Sequence, residues 1–316
     1  MALKSVFQAL KHEGYVIKPL DMYLLSLNSK DNDRATNVNS PSQASVCNRA
    51  NYYARMGYQN DGSIEPRTRR IFDNGTKTHE RLQEYLLDEG ILISDEVPCI
   101  NPQYNIQGHT DGFLNLGTIT TETILVPKGC CRAKLPVKKY TEIGILEIKS
   151  INSNGFSQLK DAKPEHKQQA MIYLYCAETR RNLLKEKYVD IPSFLASEPE
   201  RAEEFRKRYE HLQDGHKFTK EEKIDFQVKL CLQADWVLFN TTRPITKVVF
   251  LYENKDTQEL KEYVVKRDDD ILVEVLAKYK RLNLACEKQK IPEREGTSKS
   301  CSTCRWCNFK ISCWVM

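Results

Sequence analysis

The chain has 316 residues, 40% hydrophobic and 29% charged, with a formal net charge of +5, which suggests one large domain or two small ones with a full core and excludes a disordered chain. No run approaches the ~18 apolar residues of a membrane-spanning helix, and the opening Met1-Ala-Leu-Lys-Ser lacks a long apolar signal core, so the expectation is an intracellular protein, cytoplasmic in a bacterial or phage-infected cell, with no membrane partner. A charge of +5 permits nucleic-acid binding without demonstrating it.

In chain order, residues 1–23 alternate charged and apolar positions and predict a short opening helix. Residues 27–45, rich in Asn, Ser and Asp, predict a loop. Cys47 to Met56 reads as a short helix ending at Gly57. Thr68 to Leu87 reads as a long amphipathic helix, with Phe72, His79, Leu82 and Leu86 at helical spacing. The period then changes. Ile91–Ile100, Tyr104–Leu116, Thr120–Val126 and Gly144–Lys149 are rich in Ile, Val and Thr and predict strands. A helix is expected from Pro164 to Arg180. Residues 194–222 form a charged helical stretch that reads as a solvated face. Ile245–Glu253 and Glu259–Lys266 bracket Asn254-Lys255-Asp256 as a hairpin. Another helix covers Asp268 to Glu287, and a polar linker, residues 292–300, leads into a cysteine cluster. Helix, strands, helix and hairpin imply an α/β core with helical additions.

Eleven cysteines without a secretory signal argue against a disulfide framework. Cys301, Cys304, Cys307 and Cys313 crowd the last sixteen residues, whereas Cys47 stands alone near the other end. Such crowding suits metal ligation. Cys304-x₂-Cys307-x₅-Cys313 needs a fourth thiolate for Zn²⁺ or an iron–sulfur cluster. Pattern alone favours the local Cys301 over Cys47 and does not choose the metal.

Asp111, in Gly108-His-Thr-Asp-Gly112, precedes Glu147-Ile148-Lys149. On a strand, Glu147 and Lys149 share one face and Ile148 points into the core. Carboxylates brought together repel by roughly 4 kcal/mol at 4 Å and an effective dielectric of 20. A divalent cation offsets that repulsion, polarises a phosphate and lowers the pKa of a bound water. A nearby lysine stabilises developing charge. A surface Glu/Lys pair would have the same sequence. Yet Ile143–Ile148 is mostly apolar, and Ser150–Lys160 is a Ser/Asn/Gly loop, as expected where a buried strand opens into a site. His166-x-x-Gln169-x-x-x-Tyr173 lies on one helix face; Gln168 points about 100° away. His79, in Gly75-x-x-x-His79, is either a satisfied core histidine or a ligand for Mn²⁺ or a similar ion.

In this order, the motifs resemble the PD-(D/E)XK nuclease superfamily, closest to its RecB-like exonuclease branch with an iron–sulfur cluster. The resemblance covers nearly the whole chain through Cys47, His79, Asp111, Glu147 with Lys149, Gln169 with Tyr173, and Cys304, Cys307 and Cys313. It implies a restriction-endonuclease-like α/β fold, a mixed central sheet flanked by helices, with helical additions. It implies one nuclease domain over residues 1–316: an N-terminal helical part to residue 90, a core over 91–290, and a cysteine segment over 291–316 packing back on the N-terminal part. It implies a metal-dependent DNA exonuclease of recombination, repair or phage DNA metabolism. The implied catalytic set is Asp111, Glu147, Lys149, Gln169 and Tyr173. Mg²⁺ or Mn²⁺ would be held by His79, Asp111, Glu147 and the Ile148 carbonyl. A [4Fe–4S] cluster would be held by Cys47, Cys304, Cys307 and Cys313, with Cys301 in reserve. A Cys47–Cys304 link would close a loop of about 257 residues, a constraint of roughly 5 kcal/mol if disulfide loop entropy is borrowed.

The interval from Asp111 to Glu147 holds an extra segment, Gly117–Tyr140, carrying Lys128, Arg132, Lys134, Lys138 and Lys139. We read it as a basic β-hairpin near the active-site mouth that contacts phosphates; a solvated surface hairpin is its alternative. The expected partner is DNA, single-stranded or with free ends, together with recombination or replication proteins. Two rival functions stand: an endonuclease or flap nuclease on the same core, and a non-catalytic DNA-binding module with zinc on Cys301, Cys304, Cys307 and Cys313.

Overall fold

The computed structural model describes residues 15–29, 37–128, 131–215 and 217–315, without the side chains of residues 29, 127, 128 and 131. The start of the expected opening helix lies outside these residues; a described helix, α1, spans Ile17–Ser26. The chain divides into two compact units. Among the described residues, one holds 15–29, 37, 46–78 and 280–315; the other holds those of 38–45 and 79–279. The divisions fall inside helices, between Thr78 and His79 and between Tyr279 and Lys280.

The second unit is built on a five-stranded mixed sheet. Its strands are β1 (Leu92–Asn101), β2 (Ile106–Asn115), β5 (Ile143–Ile151), β6 (Lys247–Asn254) and β7 (Leu260–Lys266), in that spatial order. Only β5 and β6 run parallel; the other neighbours are antiparallel. Between β2 and β5, strands β3 (Ile119–Lys128) and β4 (Cys131–Tyr140) form a separate two-stranded sheet, the expected hairpin.

β5 is central because it is apolar on both faces, as buried parallel strands are. Ile143 and Ile145 enter a core shared with Ala170, Leu174, Phe250 and Val275. Leu146 and Ile148 enter a second cluster with Leu82 and Leu86 of helix α3 (Pro66–Asp88). Each fully buried Ile or Leu contributes about 1.5–3 kcal/mol. A helical connection joins β5 to β6, as a parallel crossover requires: α4 (Ser153–Gln158), α5 (Pro164–Lys187), α6 (Ile191–Ala196), α7 (Glu198–Arg208) and α8 (Lys220–Phe239). Pro164 at the start of α5 and a Thr219–Glu222 capping box on α8 fix where these helices begin.

The stretch 194–222 is not simply a solvated face. Phe205, Tyr209 and Leu212 are buried against Val228 and Cys231 of α8. Arg201, 3% exposed, meets the equally buried Asp235 at 3.1 Å, and Arg180 grips the same carboxylate through two 2.8 Å hydrogen bonds. The apolar residues at helical spacing draw the segment inward, and Asp235 neutralises the arginine that goes with them.

In the first unit, helix α2 (Asn48–Arg55) starts directly after Cys47. Tyr53, Leu282, Phe309 and Cys313 share a buried cluster there. Helix α9 (Asp269–Glu287) crosses the division, and short helices α10 (Ser302–Arg305) and α11 (Lys310–Val315) carry the C-terminal cysteines. The Asp61 carboxylate accepts hydrogen bonds from the Ile311 and Ser312 backbone at 2.5 and 3.1 Å, which anchors α11.

Candidate active site

The β2–β5 ladder ends at the Gly112–Leu146 pair. Beyond it the strands part, and the Asp111 side chain takes the place of a neighbouring strand: its Oδ2 accepts from the Ile148 backbone N–H at 2.5 Å. Gly112 permits this close packing. A Cβ there would lie 2.4 Å from the Ser94 carbonyl oxygen and 2.6 Å from Leu92 Cδ1.

The gap gathers the predicted residues. His79 Nδ1 lies 3.0 Å from Asp111 Oδ1, and the imidazole is partly exposed rather than enclosed in the core. Lys149 Nζ donates to Glu147 Oε1 at 2.6 Å and to Gln169 Oε1 at 3.2 Å. Gln169 Nε2 donates to Glu147 Oε1 at 2.9 Å and to the Tyr173 hydroxyl at 2.5 Å. Tyr173 donates in turn to the His109 carbonyl at 3.1 Å. Gln169 is therefore the inward glutamine of its pair, as helix phase predicts. His166 belongs elsewhere: it hydrogen-bonds the Tyr252 hydroxyl at 2.7 Å and stacks on Phe250 and Tyr252. Burial, with Lys149 and Lys163 nearby, lowers its pKa to about 3.

The electrostatics follow from burial. Glu147 is 4% exposed, and desolvation raises its pKa to about 7, with Asp111 adding repulsion and Lys149 opposing it. Burial pulls the His79 imidazole down, but the Asp111 carboxylate outweighs it through a hydrogen bond and its charge, so the net shift is upward. Two carboxylates crowded until one resists ionising are a donor set that a cation would relieve. No three described His, Cys, Asp or Glu side chains converge as ligands around a metal ion do. In the second unit their place is taken by the His79–Asp111 and Lys149–Glu147 contacts. The donor chemistry of His79, Asp111 and Glu147 fits a hard or borderline divalent ion.

Two residues around the site carry no motif. Gln83, one helical turn after His79, donates to the Asp111 carbonyl at 2.8 Å and to Glu96 Oε1 at 3.2 Å. Glu96 falls between the Asp95–Gly112 and Val97–Thr110 pairs, with a left-handed φ of 45°. Burial raises its pKa, and Asp111 adds to the effect. The four-residue step from His79 could have indicated Gln83; nothing in the sequence marks Glu96. In the expected β6–β7 turn, Glu253 is buried and ion-paired with Arg81, and Asn254 accepts from the Ser153 hydroxyl at 3.1 Å.

The cysteines sit in the first unit. Cys47, Cys304, Cys307 and Cys313 line one small cavity together with Gly296. Gly296 is a cradle: a Cβ there would lie 2.2 Å from Cys304 Sγ and 3.1 Å from Cys301 Sγ. These thiols line the cavity without converging as ligands around one ion do, although thiolates as a donor set are the chemistry a soft metal prefers. Cys301 does not line that cavity; hydrogen bonding, chiefly from the Ser298 backbone, lowers its thiol pKa to about 7.

Among the described residues, no hydrogen bond or ion pair joins Arg132, Lys134, Lys138 or Lys139 to Asp111 or Glu147; Lys139 pairs with Glu122. The hairpin leaves β2 after Asn115 and re-enters the sheet at Ile143, four residues before Glu147, about 13 Å along an extended strand. The Lys128 side chain lies outside the described residues.

No family model and no curated protein matches the sequence. Among solved structures, the chain is similar to an alkaline exonuclease from Laribacter hongkongensis, at 10% identity and a TM-score of 0.39, over 85% of this chain and 94% of that one. It is also similar to SSO0001, at 14% identity and a TM-score of 0.35, over 96% and 98%. The site's own geometry, not these likenesses, carries the functional reading. No helix among the described residues is long and apolar enough to cross a membrane.

Proposed function

We propose that the chain is a divalent-metal-dependent deoxyribonuclease of the PD-(D/E)XK type, an exonuclease acting on DNA ends. The observation that carries the reading is the buried Glu147, its pKa raised to about 7, crowded by Asp111 and hydrogen-bonded to Lys149 where two strands part. The motif order supports the restriction-endonuclease-like core.

His79, Asp111, Glu147 and the Ile148 carbonyl would hold Mg²⁺ or Mn²⁺. When bound, the ion supplies Lewis-acid polarisation of the scissile phosphate and activation of the attacking water. The chain's own groups do the positioning. Lys149, held by Glu147 and Gln169, presents an ammonium to the water and to the charge that develops on the phosphate. Gln169 fixes Glu147 and is itself fixed by Tyr173, whose hydroxyl is anchored on the His109 carbonyl. Asp111 is oriented by His79 on one oxygen and by the Ile148 N–H on the other. Such preorganisation means that these groups need little rearrangement during the reaction.

In the first unit, Cys47, Cys304, Cys307 and Cys313 would hold a [4Fe–4S] cluster with a structural role. A second ligand set, with Cys301 replacing Cys47, draws support from the lowered Cys301 pKa and from its position beside Gly296 with Cys304. Absorption near 400 nm after anaerobic purification supports iron–sulfur, whereas colourless protein with stoichiometric zinc supports the other centre.

The deciding assay is hydrolysis of end-labelled DNA with Mg²⁺ or Mn²⁺ by wild type and Glu147→Ala. The variant should lose activity by at least ~10³-fold, the scale of losing a principal electrostatic group; undiminished activity removes the assignment. Circular single-stranded DNA separates the modes, since a strict exonuclease leaves it intact and an endonuclease or flap nuclease need not.

A further inference from the structure

The hairpin β3–β4 has a pronounced excess of positive charge. Its 22 residues, 119–140, carry five cations against one carboxylate, while the whole chain's net charge is +5. The strand register sorts those charges by face. Thr120–Lys139, Glu122–Val137, Ile124–Leu135 and Val126–Ala133 are opposed pairs on one face. That face is the inner one: Val137 is fully buried, and Ile124, Val126, Ala133 and Leu135 are half-buried. Lys139 belongs to this face and is ion-paired with Glu122. It also acts on Lys185 near the end of α5: burial lowers the Lys185 pKa, and the Arg181 and Lys139 charges add to the effect.

The opposite face carries Thr121, Thr123 and Leu125 against Lys138, Pro136 and Lys134, with Arg132 next along β4. Arg132, Lys134 and Lys138 are exposed, and none takes part in an ion pair among the described residues. Same-face neighbours on a strand are spaced by about 6.8 Å. Each strand of B-form DNA carries one phosphate per about 3.4 Å of helix axis, so cations at this spacing can each meet a different phosphate. A two-stranded ribbon also fits the width of the major groove, about 12 Å. Single strands are instead held on aromatic platforms. This face offers threonine, leucine, proline and cations, and Tyr140 at its base is buried.

We propose that the outer face of the β3–β4 ribbon, through Arg132, Lys134 and Lys138, binds the phosphate backbone of duplex DNA. The choice of DNA as the polymer rests on the nuclease reading; the face and its three contacts rest on the ribbon itself. Lys139 takes no part, because it lies on the inner face with Glu122. Sequence-independent backbone contacts of this kind position a duplex without selecting its bases.

The test is salt-dependent binding of a fluorescent blunt duplex to the full chain, in the Glu147→Gln background with Ca²⁺ to suppress cleavage. Each lost phosphate contact lowers the slope of log K against log salt by about 0.9, so Arg132→Gln/Lys134→Gln/Lys138→Gln should lower it by about 2.7. Lys139→Gln should leave it unchanged. An unchanged slope in the triple variant overturns the proposal. An equal loss in Lys139→Gln overturns the face assignment, and an equal loss on a single strand overturns the duplex as ligand. Continued cleavage by Glu147→Gln would instead count against the catalytic reading, while the slopes still decide the ribbon.

Discussion

The carboxylate site of the second unit and the cysteine cavity of the first are built on opposite plans. At the carboxylates, each principal side chain already has protein partners: Asp111 meets His79 and the Ile148 N–H, and Glu147 meets Lys149 and Gln169. Strand register and helix phase place these groups, and protein hydrogen bonds hold them. At the cysteines, four thiols line a small cavity and a glycine keeps it open. A polar site can be held by its own hydrogen bonds, whereas thiols are weak hydrogen-bonding groups and would gain order from a metal if one were bound.

The largest expected effect breaks the second plan. Cys47→Ala should abolish iron binding and, if the cluster closes the long loop, remove roughly 5 kcal/mol of constraint. For a chain of this size that corresponds to a fall in Tm of roughly 10 °C or more. Cys301→Ala should retain both iron and Tm. Iron content and thermal melting of the two variants, purified anaerobically, check this; the reverse pattern would put Cys301 in the ligand set and leave Cys47 outside it.

At the carboxylate site the corresponding change is in the backbone. Gly112→Ala pushes a Cβ against the Ser94 carbonyl and Leu92, and a backbone carbonyl in a paired strand cannot swing away. The expected cost is about 1–3 kcal/mol of stability, the range for overpacking. Activity should be lost as well, because Asp111 moves with its neighbour. Urea melts combined with the end-labelled assay would detect both; a fully active, fully stable variant would show that the close approach does not position Asp111.

A third effect separates the plans by pH. Glu147 has its pKa raised from 4.5 to about 7 in the fold, so between those values the folded chain binds more protons than the unfolded chain. Its contribution to stability therefore falls as pH rises through that window. His79, also raised, acts in the same direction. Without divalent ions, wild type should lose Tm relative to Glu147→Gln as pH rises from 4.5 to 7, and Mg²⁺ should reduce the loss by favouring the charged carboxylate. A difference that stayed flat with pH, or widened with Mg²⁺, would contradict the idea that a cation relieves this site.

The sequence carried the site more fully than its surroundings. Alternation along Ile143–Ile151 put Glu147 and Lys149 on one face with Ile148 in the core, and the 100° helical step separated Gln169 from Gln168. Helix α8 is less legible: its buried Ile224, Leu230, Cys231, Ala234 and Leu238 share one side, but the exposed Phe226 and the half-buried Leu232 and Phe239 lie off that stripe and blur it. The burial of Arg201 was equally hidden, since its partner Asp235 lies 34 residues away and is charged itself. The hairpin was legible as a hairpin, but the face of each lysine depends on a register that only the paired strands fix.

The smallest expected effect falls on Gln83, which sequence pattern passed over. Its side-chain amide holds the Asp111 carbonyl and the Glu96 carboxyl together. Gln83→Leu keeps much of the side chain's bulk but removes both donations, for a stability cost of about 1–2 kcal/mol. A merely structural role would stop there. As a positioning residue behind a cation ligand, Gln83 should also alter the ion requirement, raising the half-saturating Mg²⁺ concentration about tenfold, the lower end for loss of an outer-shell partner. Maximal rate at saturating Mg²⁺ should change less. Titrating Mg²⁺ against hydrolysis of end-labelled DNA separates the two cases: lower stability with an unshifted Mg²⁺ midpoint would confine Gln83 to packing, whereas a shifted midpoint would extend the preorganised network one layer behind Asp111.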